Sequence, residues 1–179
     1  RVYTVRSADK AEETIDVDVV RHGETSPMMS WLADLSIGDD LEFGGPRPHF
    51  QIPDPQGRPV VLFADDTAIP ALYAILQQAP AGLHGEGWIA TTDIETFNEL
   101  PAVDGLNLHR IAPGTGFGEQ LGALSAPENT VVWGAGERDE MREIRSFFRT
   151  TCGLAKDDVA VYGYWKRGTS TPDIDGARL

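Results

Sequence analysis

The sequence predicts an α/β protein in two parts, a partial antiparallel barrel followed by a parallel sheet with helices. Three observations carry that prediction. Residues 14–20 (TIDVDVV) alternate apolar with polar at a period of two, which marks a half-buried antiparallel strand. Residues 59–64 (PVVLFA) form a short continuous apolar run of the kind buried on both faces in parallel sheets. Beyond it, strand-like runs at 87–91, 106–111, 130–133 and 158–162 alternate with helical or turn-rich stretches. That order yields a parallel sheet whose ligands bind beyond the strands' carboxyl ends.

Each element has a local reason. Residues 1–6 (RVYTVR) read as a strand from their alternation and β-branched content, and residues 7–13 form a polar connection suited to a hairpin. A strand at the first residue leaves the front of the barrel apparently missing. Ser26 and Pro27 supply a cap and a first helical position, so residues 28–35 are expected to be a short helix. Residues 37–43 read as a turn into another strand, ended by the glycine and proline cluster at 44–48. Pro53, Pro55 and Gly57 break the rhythm and place a boundary within residues 50–58. After residues 59–64, a turn at 65–70 leads into a helix at 71–77. The strand at 130–133 is expected to pass through Gly134 and Gly136 into a helix from Arg138 to about Thr151.

Composition narrows the function classes. The 179 residues carry a formal net charge of −13, which argues against nucleic acid as a partner because phosphate backbones require clustered positive charge. No apolar run approaches the ~20 residues that span a bilayer. The single cysteine, Cys152, cannot form an internal disulfide, which makes a cytoplasmic setting the default. The four histidines, His22, His49, His84 and His109, are scattered, and no spacing suits a metal. A bound pyrophosphate must therefore be held by backbone amides and a few arginines.

Candidate sites lie at the strand-to-helix turns. The helix beginning near Glu137 brings its first amides beside Gly134 and Gly136, although glycine there also serves ordinary turn geometry. Asp66, Thr67 and Ala68 occupy the other turn, where Asp66 is equally a helix cap. Asp93 follows the second parallel strand, where an acidic residue bonds a ribose 2′-hydroxyl and repels a 2′-phosphate. Arg1, Tyr3 and Thr4 set a cation, an aromatic ring and a hydroxyl in one strand, with Arg1 and Tyr3 on one face and Thr4 on the other. A flavin dinucleotide needs those groups; a half-exposed edge strand is the plainer alternative.

Four motifs in order extend this reading: Arg1-Val2-Tyr3-Thr4; His22-Gly23 followed by Pro27 and Trp31; Asp66-Thr67-Ala68-Ile69-Pro70; and Gly136-Glu137 with Gly163-Tyr164-Trp165-Lys166-Arg167-Gly168. With them the sequence resembles the siderophore-interacting proteins, within the ferredoxin-reductase-like superfamily, from Arg1 to about Gly168. The resemblance implies that residues 1–52 are the C-terminal part of an FAD-binding barrel. It implies a nicotinamide-binding α/β domain at residues 58–170, and residues 171–179 remain as a tail.

By the same resemblance, Tyr3 and Thr4 hold the flavin and Arg1 the pyrophosphate. His22, Gly23 and the turn through Ser26, Pro27, Met28, Ser30 and Trp31 cradle the phosphates and adenine. Asp66, Thr67, Ala68, Gly136 and Glu137 line the nicotinamide site. Tyr164 and Trp165 close over the cofactors, and Lys166 and Arg167 attract an anionic ferric siderophore. The implied activity is electron transfer from NADH or NADPH, with NADH favoured by Asp93, through FAD to chelated ferric iron. No side-chain acid, nucleophile or resident metal is required. A flavin reductase with another acceptor and a non-catalytic nucleotide-binding module are the alternatives.

Overall fold

A computed structural model of the protein describes residues 2–23, 26–45, 51–169 and 179. Strand β3 (Val60–Asp65) is the centre of the fold. Its neighbours are β4 (Gly85–Ala90) on one side and β6 (Val131–Glu137) on the other. Outside them lie β5 (Leu106–Ile111) and β7 (Val159–Trp165), giving a five-stranded parallel sheet in the order β5-β4-β3-β6-β7. The chain thus moves outward from β3 through β4 to β5, then returns to the other side of β3. The point of reversal lies between the carboxyl ends of β3 and β6, where open α/β sheets leave a crevice.

The apolar run in β3 is continuous because both of its faces are covered. Val60, Leu62 and Ala64 point into a core shared with Ile69, Leu72 and Leu76 of helix α2 (Ile69–Gln77). Val61 and Phe63 point the other way, toward Phe117, Leu121, Met141, Ile144 and Phe148. Helix α5 (Arg138–Ser146) covers that second face and continues through one π-helical turn at Phe147–Thr151. Two shorter helices, α3 (Ile94–Asn98) and α4 (Gly118–Ala123), complete the layers; neither was read from the sequence, being too short for a periodic signal.

Two other expectations are corrected here. Strand β6 runs through the glycines to Glu137 instead of ending at Trp133, because Gly134 pairs with both β3 and β7 and Gly136 stays within the ladder to β7. Residues 39–45 form no strand after the turn at Ile37 and Gly38.

Among its described residues, the N-terminal part contributes a two-stranded antiparallel sheet and one helix, as a partial barrel. Strand β1 (Val5–Asp9) pairs antiparallel with β2 (Thr14–Val17), and these two strands form a sheet of their own. Residues 2–4 therefore precede the ladder instead of belonging to it, and Arg1 lies outside the described residues, as do Glu24, Thr25 and residues 46–50 and 170–178. Helix α1 (Pro27–Asp34) starts where expected, with Ser26 Oγ accepting from the Met29 N–H at 3.2 Å. None of the described residues before Val60 is fully buried, since two strands and one helix cannot enclose a core. Arg6 joins this part to the rest. Its guanidinium lies 4.8 Å from the centre of the Tyr73 ring on α2 and pairs with Asp18 at 3.3 Å and Glu99 at 3.1 Å.

Gly85 is required at the start of β4. Its φ is +138°, and a Cβ built there would stand 2.0 Å from the Val60 carbonyl oxygen. Gly85→Ala is expected to cost about 3 kcal/mol, combining backbone strain with a clash against the central strand. Urea unfolding measures it, and an unchanged midpoint would contradict this packing.

Candidate functional site

The last residue of β3 organises the crevice. Asp65 Oδ1 accepts from the Thr67 N–H at 2.9 Å and the Thr67 hydroxyl at 2.5 Å. Its Oδ2 accepts from the Glu137 N–H at 2.9 Å and the Trp165 indole N–H at 2.7 Å. One carboxylate thus ties together the ends of β3, β6 and β7. Burial pushes the Asp65 pKa up, while the bonds from Thr67, Trp165 and Glu137 pull it down. All four partners are donors, so the ionised form is the one this geometry accommodates. Gly136 makes the approach possible: its φ is +152°, and a Cβ there would lie 2.6 Å from Asp65 Oδ2.

Sequence reasoning singled out Asp66 and missed Asp65. The signal was a polar residue closing an apolar strand two positions before a threonine, the pattern of a capping turn.

Glu137 is a second organiser. It is 4% exposed, its Oε2 accepts from the N–H groups of Asp139 at 2.7 Å and Glu140 at 3.0 Å, and its Oε1 accepts from the Arg167 N–H at 3.0 Å. The first amides of α5, expected beside a ligand, are therefore occupied by the chain's own carboxylate. Gly134 serves close packing, since a Cβ there would meet Met141 Sδ and Phe63 at 3.4 Å.

The basic pair stands over this helix start. Lys166 Nζ lies 3.7 Å from Asp139 Oδ2, and Arg167 Nη2 lies 3.5 Å from Glu140 Oε1. Burial raises the Glu140 pKa, the negative charges of Asp65, Glu137 and Glu143 raise it further, and Arg167 opposes them. Tyr164, on the same strand end, is pushed well up, chiefly by burial; hydrogen bonding with Thr4 partly offsets this. Thr4 and Tyr164 are thus where the N-terminal segment reaches the sheet end.

The remaining candidates divide. Thr67, Gly136, Glu137, Tyr164, Trp165, Lys166 and Arg167 gather around the crevice, with Thr4 beside Tyr164. Tyr3 precedes Thr4 and is 39% exposed. Ala68 is fully buried in the α2 core, so its side chain lines no ligand surface. Asp66 opens the 3₁₀ turn Asp66–Ala68, whose cap is Asp65 instead. Asp93 stands at the end of β4 and caps α3, with Oδ1 accepting from the N–H groups of Glu95 at 2.9 Å and Thr96 at 3.0 Å. Its Oδ2 accepts from the Thr96 hydroxyl at 2.8 Å, and these bonds hold its pKa below the usual range.

His22 and Gly23 are exposed, as are Pro27, Ser30 and Trp31, while Ser26 and Met28 are half-buried. The first turn of α1 carries no acidic residue. Near its other end an open cleft is lined by Trp31, Leu35 and the carboxylates of Asp34, Asp39 and Asp40, which repel phosphate.

Asp65→Ala strands four donors at the centre of the crevice and is expected to cost about 3 kcal/mol. Urea midpoints test it; equal stability would remove Asp65 from its organising place. Glu140 gives a pH effect of known sign. With its folded pKa above its unfolded one, the native state binds more protons in that window, so stability falls as pH rises through it. Glu140→Gln should flatten that fall as pH rises beyond the usual carboxylate range, and an unaltered slope would count against it.

Comparison with known proteins places this geometry. The family profile described as "Siderophore-interacting protein" matches residues 58–168, and "Siderophore-interacting FAD-binding domain" matches residues 1–50. The chain is 36% identical to the ferric acinetobactin reductase of Acinetobacter baumannii, over 99% of this chain and 64% of that protein. It is 28% identical to the ferric vibriobactin reductase of Vibrio cholerae, over 94% of this chain and 65% of that one. It thus spans just under two thirds of either reductase. Among solved structures, the siderophore-interacting protein of Acinetobacter baumannii superposes with a TM-score of 0.91 at 37% identity, covering 98% of this chain and 73% of that one. A siderophore utilization protein of T. fusca shares the fold, with a TM-score of 0.74 at 24% identity, 97% of this chain and 68% of that one. The first profile takes in every strand of the parallel sheet and the whole Asp65 cluster, and the chain belongs to the siderophore-interacting protein family.

Proposed function

We propose that this chain is the electron-delivering part of a flavin-dependent reductase, which passes electrons from NADH through FAD to siderophore-bound ferric iron in the cytoplasm. The observation that carries the reading is the meeting of Thr4 with Tyr164 at the carboxyl end of the sheet, beside the reversal between β3 and β6. A cofactor spanning the two parts of the chain would have its reactive ring there.

The residues present fit such a group. Tyr3 offers a half-exposed aromatic ring next to Thr4, and Trp31 offers another, 40% exposed, on a helix whose first turn carries no acid. In a chain of net charge −13, a helix start free of carboxylates is a reasonable seat for phosphate. Tyr3 and Thr4 would flank the flavin. Arg1 would meet the pyrophosphate, and His22, Gly23, Ser26, Pro27, Met28, Ser30 and Trp31 would hold the phosphates and adenine. When bound, FAD supplies the conversion of a two-electron hydride into single electrons for ferric ions.

The chain's own residues bind, orient and exclude water. Asp65 and Glu137 hold the strand ends in register, leaving Thr67, Gly136 and the Tyr164–Trp165 pair to bound a nicotinamide pocket. Asp93 keeps one lone pair of Oδ2 beyond its capping bonds, which is enough to accept a ribose 2′-hydroxyl; a 2′-phosphate would meet its charge. Lys166 and Arg167 draw the anionic chelate toward the flavin edge. Reduction then loosens the metal, since hard oxygen donors grip ferric ion more strongly than ferrous.

Two measurements test this reading in the full-length protein. Tyr3→Ala should lower the FAD retained after purification several-fold, read from the flavin absorbance; full retention would refute the role of Tyr3. Converting Lys166 and Arg167 to Glu should raise the KM for an anionic ferric chelate about tenfold at low salt, with the gap closing as salt is added. Equal KM values would show the pair to be merely solvated.

A further inference from the structure

The basic pair is not open as it stands. Lys166 and Arg167 each face a carboxylate of the first turn of α5, Asp139 at 3.7 Å and Glu140 at 3.5 Å. We propose that Asp139 and Glu140 are resident competitors for the anion seat formed by Lys166 and Arg167, and that an anionic ligand enters by displacing them, with uptake of a proton by Glu140. The proposal rests on the reading that this pair receives an anionic chelate.

Three features of the geometry support it. Both ion pairs are longer than the 2.7–2.9 Å typical of a charge-assisted hydrogen bond, so they are loose contacts. The Lys166 and Arg167 side chains are 40% and 66% exposed, within reach of an incoming ligand. Their backbone, by contrast, is fixed. The Arg167 N–H is held by Glu137 Oε1 at 3.0 Å, and the Lys166 carbonyl accepts from the Thr169 N–H at 3.2 Å and the Thr169 hydroxyl at 2.8 Å. The cations can therefore re-aim without disturbing the strand end.

The two displaced carboxylates then meet different fates. Asp139 already accepts from Arg142 Nη1 at 3.2 Å and keeps a cation when Lys166 leaves. Glu140 is only 19% exposed, and the charged groups that bear on it are Asp65 from β3, Glu137 at the end of β6, Glu143 one turn along α5, and Arg167 after β7. Once Arg167 turns to a ligand, three carboxylates and no cation of that set remain. Burial and those charges favour its neutral form, so it takes a proton from solvent. By linkage, protonation of Glu140 raises anion affinity by the same factor that the anion raises its proton affinity.

The test uses the full-length protein and hexacyanocobaltate(III), a trianion inert to reduction, substitution and protonation across pH 5–8. Isothermal titration at constant ionic strength, in buffers of differing ionisation enthalpy, reads both affinity and protons taken up. For the unaltered protein, affinity should rise about fivefold or more from pH 8 to pH 5, with net proton uptake near the midpoint. Glu140→Gln should bind at pH 8 as tightly as the unaltered protein does at pH 5, with a flat profile and no uptake. A Glu140→Gln protein that keeps the original slope and proton uptake, or binds no tighter at pH 8, overturns the proposal while the anion seat stands. If the Lys166→Glu, Arg167→Glu protein binds as well as the unaltered one, or if the unaltered protein does not bind the trianion at any pH, the anion seat itself falls, and this proposal with it.

Discussion

Asp65 accepts hydrogen bonds from Thr67, Glu137 and Trp165, and the shape of the crevice depends on that convergence. Strand ends in an open parallel sheet splay apart as the sheet twists, because no ladder continues beyond them. A carboxylate with several acceptor sites can bridge three such ends at once. It does so here only because β6 reaches it as glycine, without a Cβ to hold the backbone away.

Glu137 repeats the device one strand along. It joins the end of β6 to the first turn of α5 and to the turn after β7. The two carboxylates supply fixed acceptors where a phosphate-binding fold would present amides. The crevice thus has carboxylates at its base and the cations Lys166 and Arg167 at its rim. A ligand with an apolar ring and an anionic periphery matches that distribution, since its charge remains at the edge.

The N-terminal part contributes differently. Its two strands and one helix bury none of their described side chains fully, so its position relative to the sheet depends on contacts at the surface. Arg6 is prominent among them, stacked on Tyr73 and paired with Asp18 and Glu99. Through it β1 is set against α2, and the segment before β1 leads to Thr4 beside Tyr164. Arg6 thereby bridges elements far apart in sequence.

The sequence by itself determined the parallel sheet, since runs such as residues 59–64 and 130–133 encode burial through local composition alone. It also determined the start of α1, because Ser26 and Pro27 act on neighbouring amides. The motif residues Thr67, Gly136, Trp165 and Arg167 could be picked out one by one. Their convergence could not, because the bonds of Asp65 to Glu137 and Trp165 join residues 72 and 100 positions apart. Only the strand order decides which ends are neighbours. The passage of β6 through its glycines was likewise hidden, since glycine reads locally as a turn and becomes strand only when neighbouring strands hold it in their ladders. Tertiary structure also decided that Lys166 and Arg167 face Asp139 and Glu140: a charge's partner is set by distance in space, which a linear pattern does not record.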